Sequence, residues 1–78
     1  MRLTIYSRPG CHLCVEMKAI VERTIQDRPG ITVEEIDISR DPSLLAQYEL
    51  EIPVLMIDGK KAAKYRITAE DLARRIGA

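Results

Sequence analysis

The residue order predicts an α/β fold of order β-α-β-α-β-β-α, with a four-stranded mixed sheet flanked by helices. Three features carry that expectation: a strand-length apolar pattern on either side of a long amphipathic helix, an all-apolar run at residues 54–57, and an Asp-Gly turn directly behind it.

Residues 3–6, with Leu3 and Ile5 apolar, read as a first buried strand that Ser7-Arg8-Pro9-Gly10 breaks with a turn. From residue 11 to 27, Cys14, Met17, Val21 and Ile25 recur at helical spacing. Leu13 and Ile20 widen that face, while Glu16, Glu22, Arg23 and Gln26 occupy much of the other side. Arg28-Pro29-Gly30 ends the helix. Residues 31–38 read as a second strand through Ile31, Val33, Ile36 and Ile38, with acidic residues between them. Asp41-Pro42 pairs an N-cap with proline at the first helical position, opening a short helix that carries Leu44, Leu45 and Tyr48. Val54-Leu55-Met56-Ile57 is a third strand, apolar on both faces and hence central. Asp58-Gly59 turns it into a fourth near residues 61–65. Thr68 with Asp71 three residues on resembles a capping box for a last helix, which points Leu72 and Ile76 inward and ends in Arg74 and Arg75. The first two strands, joined through a helix, should be parallel with a right-handed crossover, and the last two an antiparallel hairpin.

With 78 residues the chain has room for one domain, taken as residues 1–78. Its composition is that of a globular protein, 46% hydrophobic and 31% charged. Twelve acidic against twelve basic residues leave no global field to attract nucleic acid or an anionic membrane. No apolar run approaches the roughly 18 residues that span a bilayer, and residues 1–7 enter a strand pattern without the apolar core of a secretion signal. The expected location is the cytoplasm, where a structural disulfide is disfavoured. Monomeric behaviour is expected.

That setting gives weight to the two cysteines, Cys11 and Cys14. On a helix, Cα atoms three residues apart lie about 5 Å from each other, inside the ~4.4 to 6.8 Å that a disulfide accepts. Cys11 falls at the start of the first helix, where free N–H groups and the dipole favour a thiolate. Cys14 lies a turn deeper on the core stripe. Cys11 is therefore the expected attacking thiol and Cys14 the resolving one. Other readings stand beside this one. A staple across four residues would contribute only about 2 kcal/mol. Two inert, reduced core thiols are another reading, although only Cys14 sits on a core stripe. A metal or iron–sulfur carrier would need ligands beyond Cys11, Cys14 and His12, shared across a dimer, and no metal ligands are assigned. A non-catalytic redox-sensing interaction module of the same fold is the fourth alternative. His12 is either a polar neighbour that stabilises the thiolate or a solvated first-turn residue.

The run Tyr6-Ser7-Arg8-Pro9-Gly10-Cys11-His12-Leu13-Cys14, followed by Ile52-Pro53-Val54, resembles a glutaredoxin-like member of the thioredoxin superfamily. The resemblance covers the chain in length and element order and implies a thioredoxin-like, glutaredoxin-type α/β fold. It implies that the Ile52–Pro53 bond is cis and faces the cysteines, with the Ile52 backbone offering hydrogen bonds to an extended substrate; the residues alone also permit a strand-start proline. Arg8 matches a basic residue that glutaredoxins place before the first cysteine, where it can contact a glutathione carboxylate; a solvated loop arginine is the other reading. The departures are specific. His12-Leu13 stands where thioredoxins have Gly-Pro and glutaredoxins usually have Pro-Tyr. The Gly-Gly-x-Asp element that binds glutathione is replaced by residues 65–71, leaving Thr68 and its helix N–H groups to receive a carboxylate.

The expected activity is thiol–disulfide oxidoreduction on protein or small-molecule disulfides, with no bound cofactor. A reductase or glutathione is the expected electron donor. Pro9, His12 and Leu13 would frame the Cys11 sulfur.

Overall fold

The structure, a computed structural model, describes residues 1–77. Its elements follow the expected order: β1 (Arg2–Ser7), α1 (His12–Ile25), β2 (Thr32–Asp37), α2 (Pro42–Tyr48), β3 (Val54–Ile57), β4 (Lys60–Lys64) and α3 (Ala69–Arg75). The strands form one four-stranded sheet in the order β2-β1-β3-β4. β1 and β2 are parallel, β1 and β3 antiparallel, and β3 and β4 antiparallel. β3 is an inner strand, which is why its residues are apolar on both faces.

Strand alternation divides the apolar side chains between the two faces. Leu3, Ile5 and Leu55 meet Met17 and Val21 of α1 and Leu72 of α3 on one face, with Ile67 and Ile76 closing the cluster. Tyr6, Val54 and Met56 meet Ile38, Leu44, Leu45 and Tyr48 on the other. There the Tyr6 and Tyr48 rings stack with centroids 4.7 Å apart. Helices α1 and α3 thus cover one face and α2 the other.

Three local expectations change. Ile38 is buried, but not as a strand residue: β2 stops at Asp37, and residues Ile38–Arg40 form a 3-10 turn. The Asp37 carboxylate accepts from the Ser39 N–H at 2.9 Å and the Ser39 hydroxyl at 2.6 Å, an Asx turn that ends the ladder. The fourth strand ends at Lys64, with a register shift opposite Leu55 and Met56. At α3 only half of the capping box forms. Thr68 Oγ1 accepts from the Asp71 N–H at 3.0 Å, but the Asp71 carboxylate is taken by Arg74 at 3.0 Å and Arg75 at 3.3 Å. The α2 cap is as expected, with Asp41 accepting from the N–H groups of Ser43 and Leu44. Asp58 (φ +48) and Gly59 (φ +85) form the two-residue hairpin turn of positive φ that an Asp-Gly pair favours. Among the described residues no helix is long and apolar enough to cross a membrane.

Candidate functional site: the Cys11–Cys14 pair

The loop after β1 sets the position of the first cysteine. Cys11 N–H donates to the Arg8 carbonyl at 3.3 Å, closing a four-residue turn with Pro9 and Gly10 in its middle. Gly10 has φ +79, the value that a type II turn demands at its third position. No atom lies within 4 Å of a Cβ built there, so glycine is required by backbone angle rather than by space. The turn hands Cys11 to α1 as its N-cap, in extended conformation.

Cys11 caps the helix with sulfur. Its Sγ accepts from the Cys14 N–H at 3.1 Å, and its carbonyl accepts the first helical bond from Val15 at 3.2 Å. An N–H aimed at that sulfur lowers the cost of negative charge on it, as does the positive end of the helix. The two cysteines are joined as a disulfide with Cα atoms 5.2 Å apart. Cys11 is half-buried, whereas Cys14 is 2% exposed and packed inward. One sulfur is thus presented at the surface and its mate is held behind it.

A cavity of about 340 Å³ opens beside the pair, lined by Arg8, Pro9 and both cysteines, with Val15 of α1 and Glu35 and Asp37 of β2. The two carboxylates were not singled out in the sequence. They arrive because β1 and β2 run parallel in a register that sets Ser7 beside Asp37, bringing the end of β2 against the cysteine loop. The signal that could have found them is that ligands in such sheets gather at the carboxyl ends of strands. Ser7, 4% exposed, donates its hydroxyl to Glu35 at 3.0 Å, and Lys18 of α1 reaches the other oxygen of the same carboxylate at 3.2 Å. Lys18 is raised above the ordinary lysine value by this hydrogen bond and charge pairing. The Asp37 carboxyl is held below its ordinary value by hydrogen bonds from the Ser39 hydroxyl and N–H, with the positive charges of Arg40 and Arg8 adding to the effect. Arg8 lines the same cavity as the sulfur and Asp37.

The other sequence-predicted residues divide among three further places. His12 is 88% exposed and its Nε2 lies 3.0 Å from the Glu16 carboxylate, so the imidazole leans along α1. Leu13 and Thr68 come together in a second groove of about 530 Å³, with Met17 and Ile20 of α1 and Arg66 and Ile67 ahead of α3. Ile52 and Pro53 enter β3, and the Ile52–Pro53 bond is cis. Val54 pairs with Tyr6, so this segment lies at the end of β1 from which the cysteine loop departs. Among the described residues, no group of three or more His, Cys, Asp or Glu side chains is arranged to hold a metal ion.

Comparison with known proteins places these features in a family. Residues 2–77 match the family described as glutaredoxin-like domain (DUF836). A Dictyostelium discoideum relative, glutaredoxin-like protein YDR286C homolog, is 34% identical over 77 residues, covering 92% of this chain and 71% of that protein. Among solved structures, the X. campestris protein XcR50 superposes with a TM-score of 0.71 at 25% identity, over 95% of this chain and 93% of that one. The glutaredoxin-like protein NrdH-redoxin from Escherichia coli has a TM-score of 0.62 at 29% identity, over 100% of this chain and 97% of its own.

Proposed function

This chain belongs to the glutaredoxin-like domain family, and from that premise we propose that it is a thiol–disulfide oxidoreductase in which Cys11 attacks and Cys14 resolves. The observation that carries the reading is the asymmetry of the pair. Cys11 is the N-cap of α1, half-buried and hydrogen-bonded through sulfur, while Cys14 lies one turn behind it at a Cα separation of 5.2 Å.

Starting from the dithiol, the Cys11 thiolate attacks one sulfur of a substrate disulfide. The substrate S–S bond breaks, its first thiolate leaves and takes a proton, and a mixed disulfide to Cys11 remains. Cys14 then loses its proton and attacks Cys11 Sγ. The mixed disulfide breaks, the second substrate thiolate leaves, and the internal disulfide is formed. A reductase or glutathione supplies the two electrons that restore the dithiol. The segment carrying Ile52 and Pro53 receives the substrate backbone as an added strand, Arg8 sets the potential around the attacking sulfur, and Pro9 flanks it in the same cavity; His12, turned along α1 to Glu16, and Leu13, in the second groove, do not frame it as expected.

A protein disulfide is the favoured substrate over one carried by glutathione. The Gly-Gly-x-Asp element is absent from residues 65–71, and at α3 a carboxylate would be left with the Thr68 hydroxyl, whose oxygen already accepts from the Asp71 N–H. Among relatives, NrdH-redoxin is described as glutaredoxin-like with a thioredoxin-like activity profile, which accords with this choice. The role assignment is tested by incubating Cys14→Ser and Cys11→Ser with a disulfide-bearing protein and resolving the products without reductant. The Cys14→Ser variant should accumulate a covalent adduct and the Cys11→Ser variant should not. Equal adduct on both would overturn the roles, and no adduct with either would overturn the activity.

A further inference from the structure

The segment 50–53 is tied down from outside by a residue that neither the motif nor the cysteine geometry brings forward. Tyr65 follows β4 with φ +69. Across it, the Arg66 N–H donates to the Lys64 carbonyl at 2.8 Å. Tyr65 is thus the middle residue of a γ-turn of positive φ, a rare and strained conformation. A side chain at such an angle persists only where the surroundings hold it.

Here the holding bonds converge on one place. The Tyr65 N–H donates to the Pro53 carbonyl at 2.8 Å, and its phenolic hydroxyl donates to the Leu50 carbonyl at 2.8 Å. Lys64 sits over the ring at 5.6 Å, and Lys61 of β4 pairs with Glu51 inside the same segment. Core packing does not account for the tyrosine, because Tyr65 is 43% exposed and Leu50, which it reaches, is 83% exposed. Glycine would occupy the angle without strain. What glycine lacks is the hydroxyl that grips the far end of the segment.

We propose that Tyr65 is a positioning residue: its N–H and phenol clamp the two ends of residues 50–53 and preset the backbone on which a protein substrate docks. The inference rests on the proposed role of Ile52 and Pro53 as the substrate edge. Ordering that edge before binding removes an entropic cost from association. Loss of the clamp therefore acts on binding of an extended chain and leaves the reactivity of Cys11 alone.

The test uses the full chain with insulin as the protein disulfide and dithiothreitol as reductant, and, in separate single-turnover runs of pre-reduced protein freed of dithiothreitol, 5,5′-dithiobis(2-nitrobenzoate) as a small disulfide that has no strand to dock. Tyr65→Phe removes the hydroxyl only, and Tyr65→Gly removes the ring while relieving the backbone. In Tyr65→Phe the KM for insulin should rise roughly fivefold, the worth of one neutral hydrogen bond, and rise further in Tyr65→Gly. The kcat, the rate with the small disulfide, and the iodoacetamide reactivity of Cys11 should stay at wild-type values. An unchanged KM in Tyr65→Phe overturns the inference, as does a parallel loss with both disulfides, which would mark Tyr65 as merely structural. Should Tyr65→Gly fail to fold, Tyr65→Phe decides alone. A wild-type protein that reduces neither disulfide overturns the oxidoreductase reading and this inference together, so the two failures are told apart.

Discussion

At the residue scale, the chemistry depends on how charge is arranged around one sulfur. The Cys14 N–H and the start of α1 favour a Cys11 thiolate, and Arg8 lines the same cavity. Glu35 and Asp37 in the same cavity act against it, with Glu35 tied to Lys18 and Asp37 held by Ser39 and by Arg40 at 3.9 Å. Removing the Asp37 charge should therefore increase the thiolate fraction. In Asp37→Asn the midpoint of the pH profile for iodoacetamide reaction with Cys11 should move to lower pH; a midpoint that moves upward would contradict this field. Gly10 acts through backbone geometry. Ala at φ +79 costs about 1 kcal/mol, so Gly10→Ala should destabilise the protein by that amount in urea unfolding. Because the same turn delivers Cys11 to the N-cap, it should also slow alkylation of that thiol. Cys11, Cys14, Arg8 and Pro53 were all legible as residues worth naming. Glu35, Asp37 and Tyr65 were not, since each matters only through a partner distant in sequence.

At the element scale, the short helices depend on their caps more than on their length. Helices of seven residues do not persist alone in water. Asp41 caps α2 with two backbone bonds, and Asp41→Ala should lower stability by about 1 kcal/mol in chemical unfolding. Helix α3 is held by burial as well as by its cap. Leu72 is fully buried against Leu3, Ile5 and Leu55, and Leu72→Ala should cost about 2–5 kcal/mol, through both the lost apolar contact and the cavity. The caps at Asp41 and Thr68 were readable because a cap is a local event within three or four residues. The ends of β2 and β4 were less so. The Asp37–Ser39 turn stops β2 before Ile38 without interrupting the apolar pattern that suggested a longer strand, and Tyr65, at positive φ, stops β4 one residue before the expected end.

At the scale of the whole molecule, the disulfide closes a loop too short to serve as a major staple. Reducing it should lower stability by no more than about 2 kcal/mol in paired urea titrations; a much larger loss would mark the bond as structural. The pH dependence follows from the ion pairs. Asp71 is held below its ordinary value by hydrogen bonds from Arg74 and Arg75, and Glu51 by the one from Lys61. With folded values below the unfolded ones, these carboxylates contribute stability that is full above pH 4.5 and lost as pH falls through their lowered values. Lys61 is raised by its hydrogen bond to Glu51, so its contribution is full below pH 10.5 and lost as pH climbs past that point. Asp71→Asn should flatten the acid limb of the oxidised protein's stability profile and leave its alkaline limb unchanged. By itself the sequence determined the element order, the apolar faces, the turns at Gly10 and Gly59, and the one-turn spacing of the cysteines. Each of these is set within a few residues by backbone angles and side-chain period. Only the tertiary structure decided what surrounds the sulfur. Parallel pairing of β1 with β2 brings Glu35 and Asp37 to the cysteine loop, and the end of β4 brings Tyr65 to residues 50–53. Such neighbours are chosen by strand register and sheet order, which no local pattern encodes.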